Sequence, residues 1–159
     1  SARGYAVTAS TGRQETHEFL SDLGAKAFVE RETLAAKGGA LQTELWSGTV
    51  DSVGSITLAN ALAQTIYGGA VAACGLAGGA NLPGTVMPHI LRGVALLGID
   101  SVRAPQQKRE RAWARLDRDM NRKLLHQIGR TEPFAKLPEL AAQIIAGRIR
   151  GRVAIDMSA

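Results

Sequence analysis

GTVDSVGSITLANALAQTIYGGAVAACG, residues 48–75, decides the fold. GTVDSVG (48–54) is β-prone and closes on a turn, so it reads as a strand. SITLANALAQTI (55–66) carries apolar residues at helical spacing and reads as a helix ended by Gly68-Gly69. GAVAACG (69–75) is a run of small apolar residues, the pattern of a strand buried on both faces. Strand, helix and strand in succession make a βαβ unit, whose strands pair in parallel through the crossover helix.

The alternation continues outward in both directions. Upstream, GYAVTAS (4–10) is a short alternating strand broken by Thr11-Gly12. QETHEFLSDLG (14–24) follows as a helix with Phe19, Leu20 and Leu23 on one side and Gly24 as its C-cap. KAFVE (26–30) is a second strand, and 31–45 is a helical or irregular connection interrupted by Gly38-Gly39. Downstream, LAGGANLPG (76–84) is a loop, TVMPHILRG (85–93) holds a short helix, and VALLGIDS (94–101) is another buried strand. Residues 105–125 form a basic helix, PFAKLPELAAQIIAGRI (133–149) a helix opening with Pro133, and GRVAIDM (151–157) a last strand. Alternation from residue 4 to about 101 predicts an α/β fold with a doubly wound parallel sheet.

Composition fits a folded domain. The chain has 159 residues, 45% apolar and 21% charged, enough to bury about 70% of its unfolded surface. No apolar run approaches the ~18 residues that span a bilayer, and SARGYAVTAS has no signal-peptide core. One cysteine, Cys74, excludes a disulfide scaffold and a multi-cysteine zinc site, and suits a reducing cytoplasm. The net charge of +5 is concentrated. Residues 103–130 carry nine basic side chains against Glu110, Asp117 and Asp119. This run is either a solvated helix face or a surface for a polyanion. Trp113 is its single aromatic, so it has no stacking ladder for nucleic acid.

In a parallel α/β sheet, ligands sit at the carboxyl ends of the strands. The residues there are Thr11, Gly12 and Arg13; Arg31; Gly54; Cys74, Gly75 and Leu76; Asp100 and Ser101. In a dinucleotide fold, the end of the second strand meets the adenosine ribose, and an Arg with hydroxyl neighbours accepts a 2′-phosphate. Thr11-Gly12-Arg13 has that chemistry, with no acid before Glu15, so the expected coenzyme is NADPH. The other reading of Arg13 is a surface residue at a turn. The glycine-rich phosphate loop should lie ~20 residues upstream of this strand end. Counting back from Arg13 runs off the chain, and no G-x-G-x-x-G occurs anywhere in it. The expectation is a sheet lacking its first, central strand: the later part of a longer enzyme.

Other residues carry less. Gly75, Gly78 and Gly79 have the wrong spacing for a P-loop and serve better as small residues that let a nicotinamide ring approach the backbone. Cys74 has no nearby base and reads as a buried pocket-lining residue. His17, His89 and His126 share no metal-ligand spacing. Asp51 and Asp100 read as residues that close strand ends through turn hydrogen bonds.

DSVGSITLANALAQTIYGGAVAACGLAGGANLPGTVMPHILRGVALLGIDSV resembles the zinc-independent medium-chain dehydrogenase/reductases, in particular their acryloyl-CoA reductase and quinone-oxidoreductase-like branch. YGGAVAACGLAGG, LPGTVMP and LRGVALLGIDSV are its most distinctive runs, and the likeness extends from ASTGRQETHEFLSDLGA to GRIRGRVAIDM. The resemblance implies a Rossmann-like domain over 1–103, and helices and a strand over 104–159 that return to a catalytic domain. It implies NADPH-dependent reduction of an activated C=C bond, with an enoyl-CoA or a quinone as substrate, no metal, and a homodimer paired through the apolar edge of VALLGIDS. Position by position, Thr11, Gly12 and Arg13 match the adenosine-phosphate clamp and Arg31 a basic position near the adenine. Cys74, Gly75 and Leu76 match the strand end beside the nicotinamide, with Ile90 in the short helix above it. Ile99, Asp100 and Ser101 match the stretch that meets the carboxamide, and Gly147 and Arg152 lie where the chain returns. The family's catalytic domain and proton donor have no counterpart in these residues, so no catalytic residue is assigned. A nucleic acid or membrane partner is not expected, and the rival reading is a non-catalytic nucleotide-binding module.

Overall fold

The computed structural model describes residues 1–158, and the chain divides into two compact units, Ser1–Ala104 and Pro105–Ala159. In the first unit, β1 (Thr8–Thr11) and β2 (Ala27–Glu30) form a parallel pair joined through α1 (His17–Asp22). A short α2 (Arg31–Ala35) leads from β2 towards β3 (Trp46–Asp51), and α3 (Ser55–Ala63) connects β3 to β4 (Thr65–Ala73). A final short helix, α4 (Met87–Arg92), precedes β5 (Ala95–Gly98), which pairs with β4 in parallel.

The parallel βαβ units are as expected, but the sheet is not continuous. Among the described residues the strands fall into a pair, β1-β2, and a trio, β3-β4-β5. The doubly wound order 3-2-1-4-5-6 explains this division: deleting its first strand leaves a parallel pair on one side and a parallel trio on the other.

The trio is covered on one face. Leu58, Ala61 and Leu62 of α3 pack with Val71 of β4 and Val94 to form the core. On the opposite face the register aligns Val50, Ala72 and Leu97, and Val50 remains 80% exposed. This corrects two expectations. β4 is buried on one face and not on both: Val71 packs into the core with α3, while the neighbouring Ala72 aligns with the exposed Val50 and Leu97. β5 is exposed along its whole length, because among the described residues it is an edge strand with β4 as its single neighbour.

The expected helix stop at Gly68-Gly69 also moves. The helix ends at Ala63, and both glycines lie inside β4 at a bulge between the Trp46 and Gly48 pairings. Gly68 has φ +72°, a backbone angle that a bulge accepts from glycine at low cost.

In the second unit, α5 (Gln106–Asp119) and α6 (Arg122–Ile128) replace the single basic helix. Met120 is extended, and the Asn121 side chain accepts from the Lys123 amide to cap the new start. Asp119 pairs with Arg115 and Arg118, and Asp117 with Arg122, so the basic run is partly neutralised on its own surface. The charged strand β6 (Gly129–Pro133) was not anticipated; it pairs in parallel with β7 (Arg152–Asp156) through α7 (Leu137–Ile145). Pro133 ends this strand, and a 3-10 turn, Phe134–Lys136, precedes α7.

Candidate functional site

The end of β1 is built by threonine hydroxyls. Thr11 and Thr16 are each only 7% exposed. The Arg13 amide donates to Thr11 Oγ1 at 3.1 Å, and Thr16 Oγ1 donates to the Arg13 carbonyl at 2.6 Å. The two hydroxyl oxygens lie 3.2 Å apart, and the Thr16 amide also reaches the Arg13 carbonyl at 3.0 Å. Both polar backbone groups of Arg13 are therefore fixed, while its side chain is at the surface. Arg31, the first residue of α2, lies alongside: a Cβ built on Gly12 would stand 3.7 Å from Arg31 Cβ and 3.9 Å from its Nε. Thr11, Gly12 and Arg13 thus share one turn, and the Arg31 side chain lies against its glycine. That donor set suits an anion such as a phosphate. Thr16 was missed in the sequence, where the recurrence of threonine after TGRQE (Thr11–Glu15) was its one signal.

The ends of β3 and β4 are stitched together through backbone. Cys74 N donates to the Asp51 carbonyl at 2.8 Å, and Gly78 N to the Val53 carbonyl at 2.7 Å. Asp51 is buried and accepts from the Gly54 amide at 2.8 Å, the turn closure expected of it. Gly54 has φ +75°, and a Cβ there would stand 2.5 Å from the Gly79 carbonyl oxygen. Gly75 is just as constrained, its Cβ position lying 2.6 Å from the Ser52 carbonyl oxygen. These glycines are required for chain-on-chain packing whether or not a ligand ring lies nearby.

Cys74 is exposed and not buried, because it stands past the last residue of β4; its thiol donates to the Asp51 carbonyl at 3.2 Å. Leu76 and Ile99 are also exposed, and Ile99 follows β5 with its amide on the Ala73 carbonyl at 2.9 Å. The structure therefore brings Cys74, Gly75, Leu76, Ile99 and Asp100 to the adjacent ends of β4 and β5. Asp100 Oδ1 accepts from the Val102 and Arg103 amides, closing the turn that carries Ser101. Ile90 lies exposed on α4. Gly147 and Arg152 belong to the second unit, where Gly147 follows α7 and Arg152 opens β7.

A cavity of about 410 Å³ opens between α3, the Lys37–Ala40 segment and the Asn81–Thr85 loop. None of the residues selected from the sequence lines it. Among the described residues, no group of three or more His, Cys, Asp or Glu side chains could hold a metal ion. No helix of the described residues is long and apolar enough to cross a membrane.

No family model matches the chain. Over 98% of its length it is 48% identical to acrylyl-CoA reductase AcuI of Ruegeria pomeroyi, of which it covers 48%. The yhdH oxidoreductase of Salmonella enterica, crystallised with NADP, superposes with a TM-score of 0.94 at 44% identity, over 99% of this chain and 48% of that one. The yhfP protein of Bacillus subtilis, crystallised with NAD, gives 0.91 at 42% identity, over 98% of this chain and 48% of that one. The chain is a homologue of these oxidoreductases. It spans about half the length of the relatives it matches. The Rossmann-like fold and the oxidoreductase resemblance expected from residues 51–102 are borne out by these homologues, with the sheet divided as described.

Proposed function

We propose that this chain is the coenzyme-binding part of an NADPH-dependent reductase that saturates an activated C=C bond, acryloyl-CoA or a related enoyl thioester first and a quinone-type acceptor second. The observation that carries the reading is the fixed Thr11-Gly12-Arg13 turn, in a chain 48% identical to an acrylyl-CoA reductase. The chemistry of the turn suits the coenzyme's 2′-phosphate: Arg13 and Arg31 supply fork-shaped cationic donors, and the Arg31 side chain lies against Gly12 in the turn. Cys74, Gly75, Leu76, Ile90, Ile99, Asp100 and Ser101 are assigned to the nicotinamide side, and Gly147 and Arg152 to the return segment that closes on the coenzyme. The bound coenzyme supplies the hydride for the β-carbon of the substrate, whose α-carbon takes a proton. The strand ends keep the reacting faces in register and exclude water, and the proton donor is assigned to residues outside this chain.

Surface area supports the view that more polypeptide covers this one. The chain exposes 11312 Å². Two separate globules of these sizes would expose only about 9,000 Å². The uncovered Val50–Ala72–Leu97 face and the open β5 edge are apolar, and a homodimer through that edge is part of the proposal. Domain limits at 1–103 and 104–159 and a cytoplasmic location belong to it as well.

Two measurements test the reading. A protein that also carries the missing half of the relatives' fold should oxidise NADPH, followed at 340 nm, on addition of acryloyl-CoA. Turnover with neither an enoyl-CoA nor a quinone would favour a non-catalytic nucleotide-binding module. The 159-residue chain alone should bind NADPH weakly or not at all in a fluorescence titration. Tight, saturable binding would show that the glycine-rich unit is not needed.

A further inference from the structure

We infer that Thr16 is a positioning residue for coenzyme selectivity: it sets the direction of the Arg13 side chain from behind the turn without touching the coenzyme. The inference rests on the assignment of Arg13 to the 2′-phosphate and extends it to a buried residue outside the strand end.

The direction of each hydrogen bond follows from the donors available. The Arg13 carbonyl can only accept, so the Thr16 hydroxyl proton goes to it across 2.6 Å. Thr16 Oγ1 is then left as acceptor for the Thr11 hydroxyl at 3.2 Å. Thr11 Oγ1 in turn accepts from the Arg13 amide at 3.1 Å. The result is a closed ring of three bonds in which donation leaves Arg13 at its amide and returns to it at its carbonyl. Such a ring fixes the peptide planes on both sides of the residue and therefore the direction of its Cα–Cβ bond. Gly12, immediately before it, would otherwise give this turn the greatest backbone freedom of any residue type.

The geometry also explains why the ring needs a hydroxyl at position 16 in particular. Valine has nearly the same shape as threonine but cannot donate. Thr16→Val takes the 2.6 Å bond from the Arg13 carbonyl, which keeps the residue-16 amide, and leaves the Thr11 hydroxyl the long 3.5 Å contact to that carbonyl. A buried hydroxyl without a good acceptor favours a rearranged turn. Bidentate phosphate recognition depends on direction, so a reoriented Arg13 loses the bond geometry while keeping its charge. Thr16→Ser retains the donor and should retain the ring.

The test uses a protein that also carries the missing half of the relatives' fold, with NADPH and NADH, which differ only in the 2′-phosphate. Fluorescence titration gives the affinity ratio between them. Wild type and Thr16→Ser should favour NADPH, and Thr16→Val should lose that preference by roughly five-fold, the worth of one neutral hydrogen bond. Far-UV circular dichroism monitors folding, and if Thr16→Val unfolds, Thr16→Ala takes its place in the comparison. A valine or alanine variant that folds and keeps the wild-type ratio overturns the inference. Equal ratios in wild type and Arg13→Ala would instead remove the phosphate assignment of Arg13, and the role of Thr16 with it.

Discussion

Asn60→Leu should destabilise the first unit by about 3 kcal/mol. Asn60 lies within α3 at 4% exposure, and its amide nitrogen donates to the carbonyls of Leu34 at 2.8 Å and Ala36 at 2.7 Å. Its oxygen accepts from Gln42 Nε2 at 2.7 Å. The network continues as Gln64 Nε2 donates to Gln42 Oε1 and Trp46 Nε1 to Gln64 Oε1, each at 2.9 Å. These bonds anchor the 34–46 connection to the helix that forms the core. Three lost bonds at about 1 kcal/mol each give the stated cost. Stranding two carbonyls raises it, and the added apolar burial of leucine lowers it by a comparable amount. Asn60→Asp is the sharper variant: it keeps the shape but turns an acceptor towards both carbonyls, so at neutral pH it should be less stable than Asn60→Leu and recover as the carboxyl protonates. Urea unfolding followed by Trp46 fluorescence, in a Trp113→Phe background, measures both variants. The midpoint should fall with the slope unchanged. A leucine variant within 1 kcal/mol of wild type, or an aspartate variant as stable as the leucine one, would refute the reasoning.

Three further outcomes are expected. In a protein carrying the full fold, Arg13→Ala should weaken NADPH binding at least ten-fold while leaving NADH nearly unaffected, since a charged hydrogen bond contributes about 1.5–3 kcal/mol; equal losses for both coenzymes would place the phosphate elsewhere. Gly54→Ala should cost about 3 kcal/mol in the same urea experiment, because φ +75° with ψ −163° is open essentially to glycine alone and the new Cβ meets the Gly79 carbonyl at 2.5 Å; a loss under 1 kcal/mol would contradict the close approach of these loops. The Lys136 ammonium and the Arg130 guanidinium, hydrogen-bonded to Glu132, hold its carboxyl below the ordinary value of 4.5, so the pairing stabilises at neutral pH and is lost as pH falls through the lowered value. Glu132→Gln should therefore flatten the acid limb of the melting-temperature profile between 4.5 and that lowered value, and an unchanged limb would mean the pairing does not survive in solution.

The βαβ rhythm was legible because it depends on local pattern. The strand of residues 46–51, the helix that follows and the strand 65–73 all appear where their apolar spacing places them, within a few residues. What the pattern could not carry was the number of neighbours each strand would have. VALLGIDS has the composition of a buried strand, yet β5 is exposed, because burial belongs to the assembly of strands and not to any one of them. The Gly68-Gly69 pair misled for a related reason. Glycine marks a departure from regular backbone, and a bulge within a strand and a helix stop leave the same trace in sequence. The strand 129–133 stayed hidden because GRTEP is charged and ends in proline, a combination tolerated at an edge and disfavoured in a central strand.

The same distinction governs the site. Arg13 could be selected from the sequence because its side chain carries chemistry that a strand end can use. Thr16 could not, because its contribution is the direction it imposes on another residue, and direction depends on a turn whose two ends meet in space. The glycines after β4 lie between these cases. In the sequence their small size reads as room for a nicotinamide ring, whereas in the structure Gly75 approaches the Ser52 carbonyl and Gly54 the Gly79 carbonyl, a close contact of backbone with backbone. A ligand at those strand ends therefore meets a surface already made rigid by Asp51, Gly54 and Gly75. In such a site selectivity is set less by the residues that contact the ligand than by those that keep the contacts from moving.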